Sequence, residues 1–223
     1  MFSWSYQVDI PEGKSFMTKA KKPLTSMVYD HVYASIINGE ITCNDTLTES
    51  HLASRLEVSK APVREALLML CQKNLLRAIP RIGYRVVQIS PAQLSKLMES
   101  RMVLEMAMLE KSWDSIGDAQ IAQLTDIYHR QQEVEARSRE VLNRWLSNIE
   151  FHLTLAGFSG NEYLQYALKN VLHTSAQAAT QCFLGYRNED ENAEYHKQIL
   201  QALTDRDLEA AKAALTGDIH ALL

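Results

Sequence analysis

Glu49-Ser-His-Leu-Ala-Ser-Arg-Leu-Glu-Val-Ser-Lys-Ala-Pro-Val-Arg-Glu-Ala-Leu-Leu-Met-Leu70 decides how the chain is read. Thr48-Glu49-Ser50 opens a short helix whose apolar side is Leu52, Ala53 and Leu56, and Glu57-Val58 breaks it. Ser59 is a suitable N-cap and Pro62 is tolerated in a first turn. Val63, Ala66, Leu67, Leu70 and Leu75 then supply an apolar face, so a second helix is predicted over 60–73. Two short helices with a tight turn between them form a helix-turn-helix. Upstream, Met27, Val28, Val32, Ile36 and Ile37 recur at helical spacing until Asn38-Gly39, which predicts a helix over 24–38. Downstream, Leu76 to Ile79 and Tyr84 to Val87 read as strands around the Gly-containing loop Pro80-Arg81-Ile82-Gly83, a wing.

Residues 1–21 are polar and show no sustained period, so they read as a mobile arm ahead of a winged helix-turn-helix domain over 22–88. Ile89-Ser90-Pro91 reads as a hinge, with Ser90 capping the helix that begins at Ala92. From there to residue 223 everything reads helical, in segments 92–113, 118–135, 138–158, 161–183, 190–204 and 207–222, with breaks at Gly117, near Ser138, at Gly160-Asn161, at Gly185 and at Thr204-Asp205. The expected fold class is mainly α: an N-terminal winged helix-turn-helix domain and a C-terminal all-helical bundle.

Composition agrees with a globular chain. Of 223 residues, 46% are hydrophobic and 22% charged, which excludes disordered and collagen-like classes. No apolar run spans a bilayer, and the first residues lack the compact apolar segment of a signal peptide, so a cytoplasmic protein without membrane contact is expected. Cys43, Cys71 and Cys182 are widely spaced and suggest free thiols. The net charge of −4 is uneven: residues 1–90 carry 11 Lys and Arg against 8 Asp and Glu, and residues 91–223 carry 12 against 19. Lys60, Arg64, Lys73, Arg77, Arg81 and Arg85 crowd into one short stretch. A basic module on an acidic body suits a polyanion bound by one part alone.

A winged helix-turn-helix binds duplex DNA when its second short helix enters the major groove and its wing reaches the neighbouring backbone or minor groove. The donors this needs are Ser59 at the cap and Lys60 and Arg64, four residues apart on one face, with Arg81 and Gly83 in the wing. Solvated charges on an ordinary surface helix are the plain alternative, and the wing and the local positive charge argue against it. The stretch from Ile36-Ile37-Asn38-Gly39-Glu40-Ile41 through Glu49–Leu70 to Ile82-Gly83-Tyr84-Arg85-Val86 resembles the winged-helix domain of GntR-family transcriptional regulators. The resemblance implies DNA contacts from Lys60, Arg64 and Gly83. It departs at Asn44-Asp45, where Pro-Gly is usual, at Asn74, where Gly is usual, and at Lys60, where Arg is usual. Lys keeps the charge and loses the bidentate fork.

The helical remainder resembles the FCD ligand-binding domain of the FadR-type branch through Glu99–Glu105, Glu150–Asn161 and Glu194–Ala211. Many members hold a divalent metal with an Asp and three His. Transferred to this chain, the set is Asn148, His152, His196 and Asp218, with Asn in the Asp position and Asp in the last His position. An N2O2 set of this kind suits zinc, nickel or manganese, and a metal-free pocket whose side chains bond the effector or one another is the alternative. His220, two residues past Asp218 on a helix, points away from the set. His31, His51, His129 and His173 read as surface or satisfied core residues, and Trp113 and Trp145 as core or interface. Arg101 sits among Leu97, Met98 and Leu104, where an unpaired cation is costly. The resemblance implies that it clamps an effector carboxylate, and an ion pair with Glu105 is the competing account.

The chain lacks Gly-x-Ser-x-Gly, P-loop, Gly-x-Gly-x-x-Gly and His-Glu-x-x-His motifs. The expectation is therefore a non-enzymatic, homodimeric repressor on a two-fold DNA operator, controlled by a small organic or sugar-derived carboxylate. A metal-dependent hydrolase built on His152 and His196, and a sequence-indifferent architectural DNA binder, are the other classes to be weighed.

Overall fold

The structure, a computed structural model, describes residues 23–138, 140–183 and 190–221. The expected arm at 1–21 and the break at Gly185 lie outside the described residues, as does the side chain of Cys182. Cys43 and Cys71 are free.

The first part is α1 (Leu24–Ile37), α2 (Glu49–Arg55), α3 (Lys60–Gln72), β1 (Leu76–Ile79) and β2 (Gly83–Val86). Val28, Val32 and Ile36 of α1, Leu52 of α2 and Val63, Leu67 and Leu70 of α3 bury one shared core, as their helical spacing requires. The Thr48 side chain caps α2 by accepting from His51 N at 3.3 Å. Ser59 occupies the N-cap position of α3 without a side-chain hydrogen bond, so the expected cap is positional only. β1 and β2 pair antiparallel, Leu76 opposite Val86 and Ile79 opposite Gly83. A third segment joins them, because Leu47 and Tyr84 exchange backbone hydrogen bonds at 2.8 Å. Gly83 has φ +140°, and a Cβ there would collide with the Leu47 carbonyl, so this turn requires glycine.

The second part is α4 (Pro91–Ser112), a 3-10 turn (Trp113–Ser115), α5 (Asp118–Arg137), α6 (Val141–Gly157), α7 (Glu162–Phe183), α8 (Asp190–Thr204) and α9 (Leu208–His220). Ser90 and Gln93 form a reciprocal capping box that starts α4 one residue before the expected Ala92. Gly117 begins α5, Ser138 follows its end, and the Asp207 side chain caps α9. Among the described residues no helix is long and apolar enough to cross a membrane.

The two parts are tied together through α7 and, at one point, α6. Gln177 Nε2 donates to the Val87 carbonyl at 3.0 Å, Gln181 Nε2 donates to the same carbonyl at 2.8 Å, and Thr180 Oγ1 donates to the Ile37 carbonyl at 3.0 Å. Gln181 Oε1 accepts from Ile89 N at 2.8 Å, so the segment read as a hinge is tethered at its first residue. Tyr33 of α1 and His173 of α7 share a 2.7 Å hydrogen bond, and Asn38 Oδ1 accepts from Leu142 N at 2.9 Å.

Candidate functional site

Of the candidates for DNA contact, Ser59, Lys60, Arg64 and Arg81 are exposed and Gly83 is partly buried. Ser59, Lys60 and Arg64 line the outer side of the first turns of α3, Arg81 is exposed at the wing tip with φ +64°, and Gly83 closes the wing. Arg64 is not a loose cation. Its Nε donates to Glu49 Oε1 at 2.9 Å and its Nη2 to Glu49 Oε2 at 2.7 Å, and Tyr84 Oη donates to Glu49 Oε1 at 3.3 Å. The Arg64 hydrogen bonds hold the Glu49 carboxyl below the usual carboxylate range. Glu49 thereby fixes the guanidinium between α2, α3 and the wing. Sequence reading missed this residue, because a Glu in the first turn of a helix looks like an ordinary dipole partner.

The second candidate lies inside the helical bundle, where α4, α5, α6, α8 and α9 converge. Arg101 and Glu105 stand one turn apart on α4, Asn148 and His152 one turn apart on α6, His196 on α8 and Asp218 on α9, and all are buried. Arg101, which is 0% exposed, donates from Nε to Glu105 Oε1 at 2.7 Å and from Nη2 to Asp218 Oδ2 at 3.3 Å. Its Nη2 is also 3.4 and 3.2 Å from the two ring nitrogens of His152, a near-equal spacing that sets it over the ring face rather than along a lone pair. The Glu105 ion pair weighed from sequence is therefore present, extended to Asp218. His220 is exposed and takes no part.

The two imidazoles stand at 71° to one another with centroids 5.1 Å apart. His152 Nδ1 lies 2.7 Å from Glu105 Oε2, its Nε2 lies 3.0 Å from Asp218 Oδ2, and the two Nε2 atoms of His152 and His196 are 3.3 Å apart. His196 Nε2 is 3.6 Å from Asp218 Oδ1, and the Phe151 ring stacks on His196 with centroids 3.8 Å apart. Burial works against charge on His152, yet the Glu105 and Asp218 carboxylates outweigh it and push its pKa up to about 9. Burial dominates at His196 and pushes it down to about 3. Burial also opposes charge on Asp218, and His152 nevertheless holds that carboxyl well below its usual range.

Among the described residues, His152, His196 and Asp218 form a group able to hold a metal ion, their ligand atoms all within 4.8 Å of one another. Two nitrogens bound to one ion at roughly 2.0–2.1 Å stand near the 3.3 Å seen here. Buried Asp218 Oδ1 and Asn148 Oδ1 have no hydrogen-bond partner, which leaves two acceptor oxygens in the same cluster for a cation. The four residues transferred from the resemblance thus come together in space, and their donor set fits a borderline divalent ion.

Comparison with known proteins agrees with both halves. Residues 96–221 match the FCD domain family, and residues 24–86 match the bacterial regulatory proteins of the gntR family. The chain is 25% identical over 199 residues to the HTH-type transcriptional repressor RspR of Escherichia coli, covering 89% of this chain and 87% of that one. It is 23% identical over 190 residues to the HTH-type transcriptional regulator YdhC of Bacillus subtilis, covering 85% of each. Among solved structures it shares its fold with E. coli McbR/YncC, with a TM-score of 0.73 at 22% identity over 90% of this chain and 95% of that one. RspR and YdhC are both named as transcriptional regulators.

Proposed function

The chain belongs to the FCD-domain regulators of the gntR family, and on that premise we propose a homodimeric repressor released from a two-fold operator by a small carboxylate effector. In this reading residues 22–88 read DNA and residues 92–223 sense and dimerise. Ser59, Lys60 and Arg64 enter the major groove, and Arg81 and Gly83 bring the wing to the backbone. The relative named as a repressor supports the sign of regulation, which needs only promoter occupancy.

The observation that carries the effector half is the buried His152–His196–Asp218 group with its two unpartnered oxygens beside Arg101. His152, His196 and Asp218 would hold a divalent ion such as zinc, nickel or manganese, with Asn148 Oδ1 as a further oxygen. The ion, when bound, supplies a fixed positive charge that attracts an effector carboxylate. Arg101 supplies the second anchor: its guanidinium carries five N–H donors, so bonds to Glu105 and Asp218 leave donors for a ligand. Asn148 brings no charge, and this site therefore binds its ion less tightly than one in which a carboxylate stands there.

Binding must favour the DNA-incompetent arrangement, and a tenfold loss of operator affinity needs about 1.4 kcal/mol of such preference. The test combines operator fragments selected from genomic DNA with a panel of small carboxylates. Elemental analysis of protein prepared without chelators is expected to find a divalent ion that His152→Ala with His196→Ala abolishes and His220→Ala retains. Arg64→Ala is expected to weaken operator binding on the order of tenfold with an unchanged circular dichroism spectrum. Operator affinity unmoved by Arg64→Ala refutes the DNA half. A metal-reloaded protein without bound ion refutes the metal centre.

A further inference from the structure

Gln131 belongs to α5, a helix that carries none of the candidate ligands, yet it is only 1% exposed and reaches His196. Its Nε2 donates to Glu135 Oε1 at 2.9 Å, and its Oε1 lies 2.6 Å from His196 Nδ1. An ionised carboxylate can only accept, so the Gln131 amide nitrogen must face Glu135. The reversed amide would set a carbonyl oxygen against a carboxylate and an N–H against the ring. The amide oxygen therefore faces His196 and, being itself an acceptor only, requires the hydrogen on Nδ1. The lone pair is left on Nε2, the atom that faces His152 Nε2 at 3.3 Å and Asp218 Oδ1 at 3.6 Å. Phe151, stacked on the ring, holds the imidazole plane while Gln131 selects its tautomer.

We infer that the Glu135–Gln131–His196 chain is a tautomer lock that turns His196 Nε2 into a metal-ligand atom. It rests on the metal-binding reading of the site and names the positioning residue that the reading lacks. His152 has the matching device in Glu105, 2.7 Å from its Nδ1, and the two differ in charge. A carboxylate backs one ring and a neutral amide backs the other, so the second ring is oriented without adding a further negative charge to a cavity that already holds Glu105 and Asp218. A partner that fixes the far nitrogen of a ligating histidine commonly contributes 10–100-fold in metal affinity.

The experiment uses the full chain with 15N-labelled histidine. Long-range 1H–15N spectra of chelator-treated protein read the His196 tautomer, and competition with a chromophoric chelator reads the Kd for zinc. Wild type is expected to show His196 with its hydrogen on Nδ1. Gln131→Leu, close in shape, is expected to lose that signature and to bind zinc about tenfold to 100-fold more weakly. The swap Gln131→Glu with Glu135→Gln reverses donor and acceptor along the same chain, still offers His196 an acceptor, and is expected to restore both readouts. Gln131→Leu with the wild-type tautomer, or with the wild-type zinc Kd, overturns the inference and leaves the metal site standing. Wild type that takes up no zinc while Gln131→Leu still loses the tautomer overturns the metal reading and leaves the lock. Restoration by the swap separates a hydrogen-bond role from mere packing.

Discussion

Replacing Arg101 by Met removes a guanidinium and keeps an unbranched stem in a place that is 0% exposed. Glu105 and Asp218 then lose a donor at 2.7 Å and one at 3.3 Å, and both carboxylates stay buried. Removing one partner of a buried ion pair costs about 3–5 kcal/mol. The lower end applies here, because His152 remains 2.7 Å from Glu105 and 3.0 Å from Asp218 and still offsets part of the uncompensated negative charge. For a chain of this length each kcal/mol moves the melting temperature by about 2–4 °C, so a fall of roughly 6–12 °C is expected in thermal melts of chelator-treated protein. Two further measurements separate charge from volume. Arg101→Met combined with Glu105→Gln removes one charge of each sign and recovers part of the loss, and zinc added to Arg101→Met recovers more than it gives wild type. A single variant that melts within 1 to 2 °C of wild type, roughly the span of half a kcal/mol, would show that the guanidinium is not holding the carboxylates together.

Gly83→Ala forces a Cβ against the Leu47 carbonyl at a φ that L residues rarely adopt, and is expected to destabilise the wing by about 1–3 kcal/mol and to weaken operator binding, read by urea titration and by DNA binding. Wild-type values in both would place the wing turn elsewhere. The metal-free protein is expected to be most stable near pH 6.5. His152, raised to about 9, contributes stability that is complete below its unfolded pKa and is lost as the pH rises through 9. Burial lowers His173 to about 4 and His196 to about 3, and their contributions are present above about 6.5 and lost as the pH falls and the unfolded chain takes up protons that the folded chain refuses. Urea midpoints at pH 5, 6.5 and 9 check both limbs, and a midpoint that climbs from 6.5 to 9 contradicts the charge on His152.

Helix α3 was legible because Val63, Ala66, Leu67 and Leu70 repeat at helical spacing, and all four are buried. The start of α4 was legible from Ser90-Pro91, whose chemistry is local. Arg101 stood out because a cation among apolar neighbours requires partners, although only the fold brings Asp218 from α9 to join Glu105. Leu47 was not readable as part of the wing sheet, since a single bridged residue has no period to detect. Gln131 was missed for a related reason. A glutamine within a polar stretch of helix looks solvent-facing, and its burial depends on where α8 delivers His196.

The polar grip of α7 on the first module has a lopsided chemistry. Beside the side-chain pairs Tyr33–His173 and Lys73–Asn170, Gln177, Thr180 and Gln181 supply side chains to which Leu75, Val87, Ile37 and Ile89 answer only with carbonyls or an amide hydrogen that any non-proline residue possesses. The sensing half therefore recognises the path of its neighbour's backbone rather than its sequence at these points. On the proposed DNA reading, operator preference carried by the exposed side chains at the start of α3 and the wing tip can drift through successive substitutions without disturbing these backbone-directed bonds. A lineage with such a coupling can reassign its regulated genes while keeping its effector, and chimaeras that graft a foreign recognition surface onto this bundle inherit the backbone-directed bonds and need only Tyr33 and Lys73 kept for the side-chain pairs.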